Sequence, residues 1–364
     1  MTDTFVLGVA MHPPSAWVAD KRLEEMVFDT AWAALKNANV DRKELDHVTI
    51  AASDELDGRS ISSMLLSAPA GAYLKDEIKA TDSGLIGFCL EVMRIESGRF
   101  HLGLVSSWNK SSKAPFEDVM RMRCEPFYTR DIGLNMSIAD GFFAQAVSRS
   151  FAIDQSEVNA AVHASYKQAS QNERGMRAKV PSVEAVATSP YVSAPLRKLH
   201  QAPITDGCVS MVVCSGDWLR KHPDRRALAK VSGLSWRIDD YQLGEKRLSS
   251  LQGFKQTFRN ALLMSGLQDV SQLDVIEIDS QTSFHDLACR RALELPNDIR
   301  VSPSGGPFAQ NPYFCTGLVH AAEAVLQVAN QAGSVQVKGT TRAAAHGSHG
   351  FAQQGNAVAI FEGA

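Results

Sequence analysis

The sequence predicts an α/β fold made of two duplicated halves, and two observations carry that prediction. The first is the stretch 77–105. It reads as an apolar strand (Glu77-Ile78-Lys79-Ala80), a tight turn (Thr81-Asp82-Ser83-Gly84), a helix, and a second strand (Leu102-Gly103-Leu104-Val105). Leu85, Ile86, Phe88, Cys89, Val92, Met93 and Ile95 cover most of the helix circumference, which marks the helix as interior. The second observation is that the set returns. Leu45-Asp46-His47-Val48-Thr49-Ile50, after an alanine-rich helix, is matched by Leu273-Asp274-Val275-Ile276-Glu277-Ile278 after a helix at 258–266. Ser83-Gly84-Leu85 is matched by Thr316-Gly317-Leu318 at the head of another apolar helix, through Ala321, Ala322, Val325, Leu326 and Ala329. Two supersecondary units in the same order indicate an internal duplication.

The other elements follow in chain order. Residues 4–10 form an apolar strand. Residues 21–37 form an amphipathic helix with Leu23, Met26, Val27, Ala31, Ala34 and Leu35 on one face. A strand at 46–52, an acidic polar loop at 53–59 and a helix at 61–73 come next. Residues 110–135 are polar and mixed, as in an insertion or lid. Two helices are expected at 137–151 and 155–173. A loop follows at 174–203, punctuated by Pro181, Pro190, Pro195 and Pro203. Residues 206–213 turn into a buried strand, 221–225 are a polar linker, and the second set begins at Leu228. The chain divides into an N-terminal half, 1–220, with a lid or insertion at about 110–200, and a C-terminal half, 221–364.

Bulk properties exclude several classes. At 364 residues the chain has room for a large core or two fused ones. A net charge of -3 gives no nucleic-acid or membrane signal. The start, Met1-Thr2-Asp3-Thr4, lacks a basic region followed by an apolar run, so no signal peptide is expected. No apolar run is long enough to span a bilayer. The six cysteines (Cys89, Cys124, Cys208, Cys214, Cys289, Cys315) have neither a Cys-x-x-Cys pair nor metal-ligand spacing. The expectation is reduced thiols, a cytoplasmic location and no bound metal.

The chain resembles the thiolase superfamily, closest to its sterol-carrier-protein-type thiolase and acetyl-CoA acetyltransferase branch. The resemblance is carried by residues 83–98, beginning Ser83-Gly84-Leu85 and ending Ser97-Gly98; by Val162-His163-Ala164-Ser165-Tyr166-Lys167-Gln168-Ala169; and by Thr205-Asp206-Gly207-Cys208. Ser304-Gly305-Gly306-Pro307, Asn311-Pro312-Tyr313-Phe314-Cys315-Thr316-Gly317 and Gly355-Asn356-Ala357-Val358-Ala359-Ile360 extend it over nearly the whole chain. The resemblance implies a five-layered αβαβα sandwich, usually dimeric, with its site where the halves meet and a coenzyme A thioester as substrate.

The family's catalytic residues carry over badly. Thr81 stands where the family has its acyl-accepting cysteine, three residues before Gly84. A threonine hydroxyl needs an adjacent base to attack a thioester, and the neighbouring Asp82 opposes an alkoxide. Cys89 lies too close to Ser97-Gly98 to be that nucleophile and reads as structural. The family's Gly-His-Pro motif falls on Gln310-Asn311-Pro312, so Asn311 would donate a hydrogen bond to the thioester oxygen but could not shuttle a proton. The acid–base position near the C-terminus falls within His346-Gly347-Ser348-His349-Gly350-Phe351, with His349 the candidate. The Asn-Glu-Ala-Phe-like segment falls near Ser280-Gln281-Thr282-Ser283-Phe284-His285 without its asparagine, leaving His285 as a candidate or as a capping or core histidine. The resemblance-derived catalytic set is therefore His349, Asn311, Thr81 and His285. Cys315 is an alternative nucleophile at a helix start, against simple packing. Arg220-Lys221-His222 with Arg225-Arg226 reads as a solvated linker or as a contact to a coenzyme A phosphate.

Three functions follow. The first is a thiolase-like subunit without its own nucleophile, in a heteromeric acyl-CoA thiolase/acyltransferase complex. Its partners would be a second, cysteine-containing thiolase subunit and a small zinc-ribbon/OB-fold protein. The second is an aldolase- or lyase-type enzyme, or an acyltransferase, that makes or breaks C–C bonds on acyl-CoA with His and Asn residues. The third is a module that merely holds an acyl chain, which no residue favours.

Overall fold

Ten strands form a continuous sheet whose two halves repeat each other's order. This is seen in a computed structural model of the protein, which describes residues 3–176, 178–296 and 298–364. Met1 and Thr2 of the N-terminal reading lie outside the described residues. The N-terminal half runs β1 (Thr4–Met11), α1 (Leu23–Asn37), β2 (His47–Ala51), α2 (Ser63–Leu66), β3 (Asp76–Ala80), α3 (Gly84–Glu96) and β4 (Leu102–Asn109). Then come α4 (Phe116–Met122), α5 (Met136–Ser150), α6 (Gln155–Gln171), α7 (Val183–Thr188), the short hairpin β5 (Tyr191–Ser193) and β6 (Leu196–Arg197), β7 (Gly207–Ser215) and α8 (Gly216–Lys221). The C-terminal half runs β8 (Ala229–Ile238), α9 (Glu245–Ser250), α10 (Gln252–Met264), β9 (Val275–Glu277), α11 (Ser283–Ala292), β10 (Arg300–Val301), α12 (Thr316–Val328), β11 (Arg342–His349) and β12 (Gly355–Gly363).

Strand order across the sheet is β10-β9-β11-β12-β8-β1-β7-β4-β2-β3. Each half is five strands with the same mixture. β2 pairs β3 and β4 in parallel, and β4 pairs β7 antiparallel; likewise β9 pairs β10 and β11 in parallel, and β11 pairs β12 antiparallel. The halves join edge to edge where β1 meets β8 over three residue pairs, Thr4–Val231, Phe5–Lys230 and Val6–Ala229.

Three apolar layers explain why these segments fold this way. Leu85, Phe88, Val92 and Ile95 of α3 and Leu318, Val319, Ala322 and Val325 of α12 share one central cluster with both half-sheets. Helix α1 seals the outer face of the first half through Met26, Val27, Ala31 and Leu35. Helix α10 does the same for the second half through Phe254, Phe258, Ala261 and Leu262. The layers run α1, sheet, α3 with α12, sheet, α10: an αβαβα sandwich.

The matched tripeptides meet at the centre. A Cβ added to Gly84 would lie 2.9 Å from Leu318 Cβ, and one added to Gly317 would lie 2.9 Å from Leu85 Cβ. Each glycine thus admits the leucine of the other copy, which is why Gly-Leu stands in the first turn of both helices.

Two expected elements differ. The helix expected at 61–73 is regular only over Ser63–Leu66, because Pro69 and Gly71, at φ +91°, break it. The loop expected at 174–203 contains α7 and the β5–β6 hairpin, too short to show a sequence period. The expected lid 110–135 holds α4, whose Val119 and Met120 pack with Leu56, Met136 and Phe314. Among the described residues no helix is long and apolar enough to cross a membrane.

Candidate functional site

The turn after β3 sets one wall of the site. Ser83 caps α3, its hydroxyl accepting the Ile86 N–H at 3.3 Å. Thr81 is exposed. Asp82 sits in the left-handed region at φ +74°, a strained conformation that aspartate tolerates better than most residues and that tends to mark functional turns. Its carboxylate is ion-paired with Arg123, which also reaches Glu55 at 3.3 Å and lies over the Phe314 ring. Burial holds Asp82 above the ordinary carboxylate range in spite of that guanidinium.

The opposite wall is the β11–β12 turn. Asp279 fixes it. Its Oδ2 accepts the Ser348 N–H at 2.8 Å, and its Oδ1 accepts a hydrogen from Gln281 Nε2 at 2.6 Å. His346 lies behind, its Nδ1 accepting the Asp279 N–H at 3.3 Å and its Nε2 3.0 Å from Asn356 Oδ1. His349 ends the strand with its ring flat against Gly355; a Cβ there would lie 2.0 Å from His349 Cε1. His349 Nδ1 is buried and has no hydrogen-bond partner. Burial first, and the Arg123 charge second, lower the His349 pKa to about 4, so the ring is a neutral base at pH 7.

Three adjoining spaces, linked by shared lining residues, begin between these walls. A front cavity of about 460 Å³ is lined by Asp82, Arg123, Phe314, His349 and Phe351. A neck of about 10 Å³ lies between Gln281, His285, Tyr313, His349 and Asp140. A rear cavity of about 330 Å³ is bounded by Phe116, Met136, Tyr166, Ile204, Tyr313 and Asp140. His349 is shared by the front and the neck; Asp140, Gln281 and Tyr313 are shared by the neck and the rear.

His349 and His285 therefore come together at the neck. His285 sits in the first turn of α11, its Nδ1 2.8 Å from the capping Thr282 Oγ1 and its ring stacked on Phe143. Its Nε2 has no hydrogen-bond partner and lies 4.0 Å from Asp140 Oδ1. Burial and the nearby His346 hold His285 down to about 3, so this is a close approach of a neutral imidazole to a carboxyl, not an ion pair. Asp140 itself is raised to about 7 by burial and by the negative Glu117.

Asn311 stands one layer behind. Its Nδ2 donates to Gln281 Oε1 at 2.8 Å, and its Oδ1 accepts from Gln281 Nε2 at 3.1 Å and from the Thr316 hydroxyl at 2.7 Å. The amide that faces the neck and rear cavity is therefore Gln281. Cys315 is fully buried at the α12 start, its thiol donating to the Ser107 carbonyl at 3.2 Å, and burial pushes it far above the ordinary thiol range. Cys89 is buried likewise and pushed up to about 12. All six cysteines are buried and free, and none lines these three spaces. His163 is held by the Pro181 carbonyl at 2.8 Å. Within the basic run, Arg220 pairs with Asp217, Arg225 with Asp224, and His222 stacks on Trp218, while Lys221 and Arg226 are exposed.

Sequence reasoning missed Asp140 and Tyr313 as site residues. The signal for Asp140 was there: a carboxylate one turn after Met136 and three residues before Phe143, on the apolar face of α5. Tyr313 was visible only as part of a motif.

No protein-family model matches the chain. A curated relative, an acetyl-CoA acetyltransferase of Methanothermobacter thermautotrophicus, is 30% identical over 193 residues, 48% of this chain and 50% of the relative. The chain thus matches about half the length of that relative. Human mitochondrial 3-ketoacyl-CoA thiolase superposes with a TM-score of 0.80 at 14% identity, covering 100% of this chain and 99% of that one. The Ltp2-ChsH2(DUF35) aldolase superposes with a TM-score of 0.82 at 13% identity, over 99% and 98%. An acetyl-CoA acetyltransferase from Syntrophomonas wolfei gives 0.78 at 14%, over the whole of both chains. The chain has the thiolase fold, and the resemblance to the thiolase superfamily carried by its motifs is borne out.

Proposed function

We propose that this chain is the thiolase-like subunit of a heteromeric acyl-CoA complex, and that it handles a coenzyme A thioester without forming an acyl-cysteine. One observation carries the reading. At the head of α3, where the family's nucleophile would stand, there is an exposed threonine beside the Asp82–Arg123 pair, and every thiol is buried elsewhere. Thr81 has no base beside it in the described hydrogen bonds, so its hydroxyl stays a poor nucleophile.

The chemistry left to the cleft is proton transfer. His349, neutral and with a free ring nitrogen, acts as the acid–base group on the carbon next to the thioester. Asn311 orients Gln281, and His285 lines the neck. C–C bond formation or cleavage of the aldol type needs no more than this and an oxygen-stabilising donor. The two-protein name of the superposed Ltp2-ChsH2(DUF35) aldolase supports a pairing with a second protein, and the family resemblance makes a small zinc-ribbon/OB-fold protein the candidate, beside a cysteine-containing thiolase subunit or a second copy of this chain. The buried, reduced cysteines fit work in the cytoplasm.

The test is solvent exchange. Incubated in D2O with acyl-CoA, the protein should wash deuterium into the α-carbon, and His349→Ala should abolish it. No exchange with any acyl-CoA, together with failure to co-purify with a second subunit, would refute the proposal.

A further inference from the structure

The neck between the two cavities holds more unpaired polar atoms than a passage for an alkyl chain should. His285 Nε2, on a side chain only 1% exposed, has no partner, and neither does His349 Nδ1. Asp140, 7% exposed at its side chain, accepts no hydrogen bond among the described residues. The Tyr313 hydroxyl has only the sulfur of Met136, at 3.6 Å. An unpaired buried polar group costs about 1–3 kcal/mol, and two of them, His285 Nε2 and His349 Nδ1, face a space of about 10 Å³ beside the Asp140 carboxyl and the Tyr313 hydroxyl, a lining suited to a polar group.

The size and geometry of the space specify that occupant. A single water-sized oxygen needs roughly 10–15 Å³. His285 Nε2 and Asp140 Oδ1 are 4.0 Å apart. An oxygen set between them reaches both at about 2.8 Å, an ordinary hydrogen-bond length. An oxygen bound to Asp140 in its ionised form, in which the carboxylate only accepts, must donate a hydrogen to it. A hydroxyl does so, whereas a ketone only accepts.

We propose that the neck is a subsite for a hydroxyl group on the acyl chain, held between Asp140, His285 and Tyr313, so that the chain selects hydroxyacyl thioesters over plain alkyl ones. This rests on the acyl-CoA reading above. In that reading the thioester lies at His349, at the front of the neck, and the hydroxyl of the acyl group points into the neck. A site built around a substrate hydroxyl rejects the analogue that lacks it, because its own polar groups are then left unpaired.

The experiment is calorimetric titration of the purified protein with octanoyl-CoA, 3-hydroxyoctanoyl-CoA, 5-hydroxyoctanoyl-CoA and 3-oxooctanoyl-CoA. At least one hydroxyl probe should bind about tenfold tighter or more than octanoyl-CoA and 3-oxooctanoyl-CoA. Asp140→Leu should erase that preference and Asp140→Asn should weaken it, with thermal unfolding confirming that both fold. Equal binding of octanoyl-CoA and both hydroxyl probes overturns the inference and leaves the acyl-CoA reading intact. So does a preference that survives in Asp140→Leu, or a ketone bound as tightly as the best hydroxyl. Binding of none of the four probes overturns the acyl-CoA reading, and this inference with it.

Discussion

Replacing Gly355 by alanine moves His349 without removing it. The imidazole lies flat on Gly355 Cα, and the new methyl would stand 2.0 Å from Cε1, 2.1 Å from Nε2 and 2.6 Å from Nδ1. Carbon atoms settle at about 3.5–4.0 Å, so the ring must retreat by about 1.5 Å. It can do so cheaply, because its Nδ1 is held by no hydrogen bond and the clash is with a side-chain end. The backbone at Gly355 is an ordinary strand paired with His349, where alanine fits. Stability should therefore change by less than about 1 kcal/mol. Catalysis should not escape: a displacement of about 1 Å can cost 10²-fold, and loss of acid–base help about 10²–10⁴-fold. The assay is mass-spectrometric deuterium wash-in at the α-carbon of bound acyl-CoA, beside thermal unfolding. A rate within threefold of the wild type, in a variant whose ring is shown by NMR to have moved, would refute the assignment of His349.

Other predictions follow from the same contacts. Gly317→Ala forces a Cβ to 2.9 Å from both Leu85 Cβ and Gly347 Cα. Overpacking costs of about 1–3 kcal/mol exceed the gain of about 1 kcal/mol in helix propensity. Its melting temperature should fall, and an unchanged or raised value would contradict the tight α3–α12 crossing. Arg123→Ala removes the charge that helps depress His349, so an NMR titration should show its pKa rising from about 4 toward 6.5; no rise would mean the guanidinium does not reach the ring. Burial and the negative Glu117 push Asp140 up to about 7 in the folded chain, from an ordinary carboxylate value of 3.8. Its stabilising contribution is complete below about 3.8 and is lost as pH rises through 7, a difference of about 4 kcal/mol. Denaturant unfolding should therefore show Asp140→Asn gaining on the wild type more at pH 8 than at pH 5; a gap that does not change with pH would rule out the raised carboxyl.

Much of the architecture was legible because it is written in period and repetition. The apolar face of α1 and the Gly-Leu starts of α3 and α12 appear in the sequence at their true positions, and their equivalence shows the duplication. The helix expected at 61–73 overshot because Pro69 and Gly71 outweighed the apolar residues around them. The cleft was less legible, because its chemistry depends on pairings across large separations. Arg123 meets Asp82 across 41 residues and Gln281 meets Asn311 across 30. A motif placed Asn311 at the site, but only the amide pairing shows that Gln281 faces the cavity in its place. Asp140 looks like one polar residue in an amphipathic helix until α11 brings His285 against it.

The account's central claim is that neither a cysteine nor Thr81 of this chain accepts an acyl group. Intact-mass spectrometry of the protein mixed with acetyl-CoA and a longer acyl-CoA tests it most directly. The account predicts an unmodified mass under conditions in which a cysteine thiolase acylates. A stable acyl adduct mapped to Cys315 or Thr81 would contradict it.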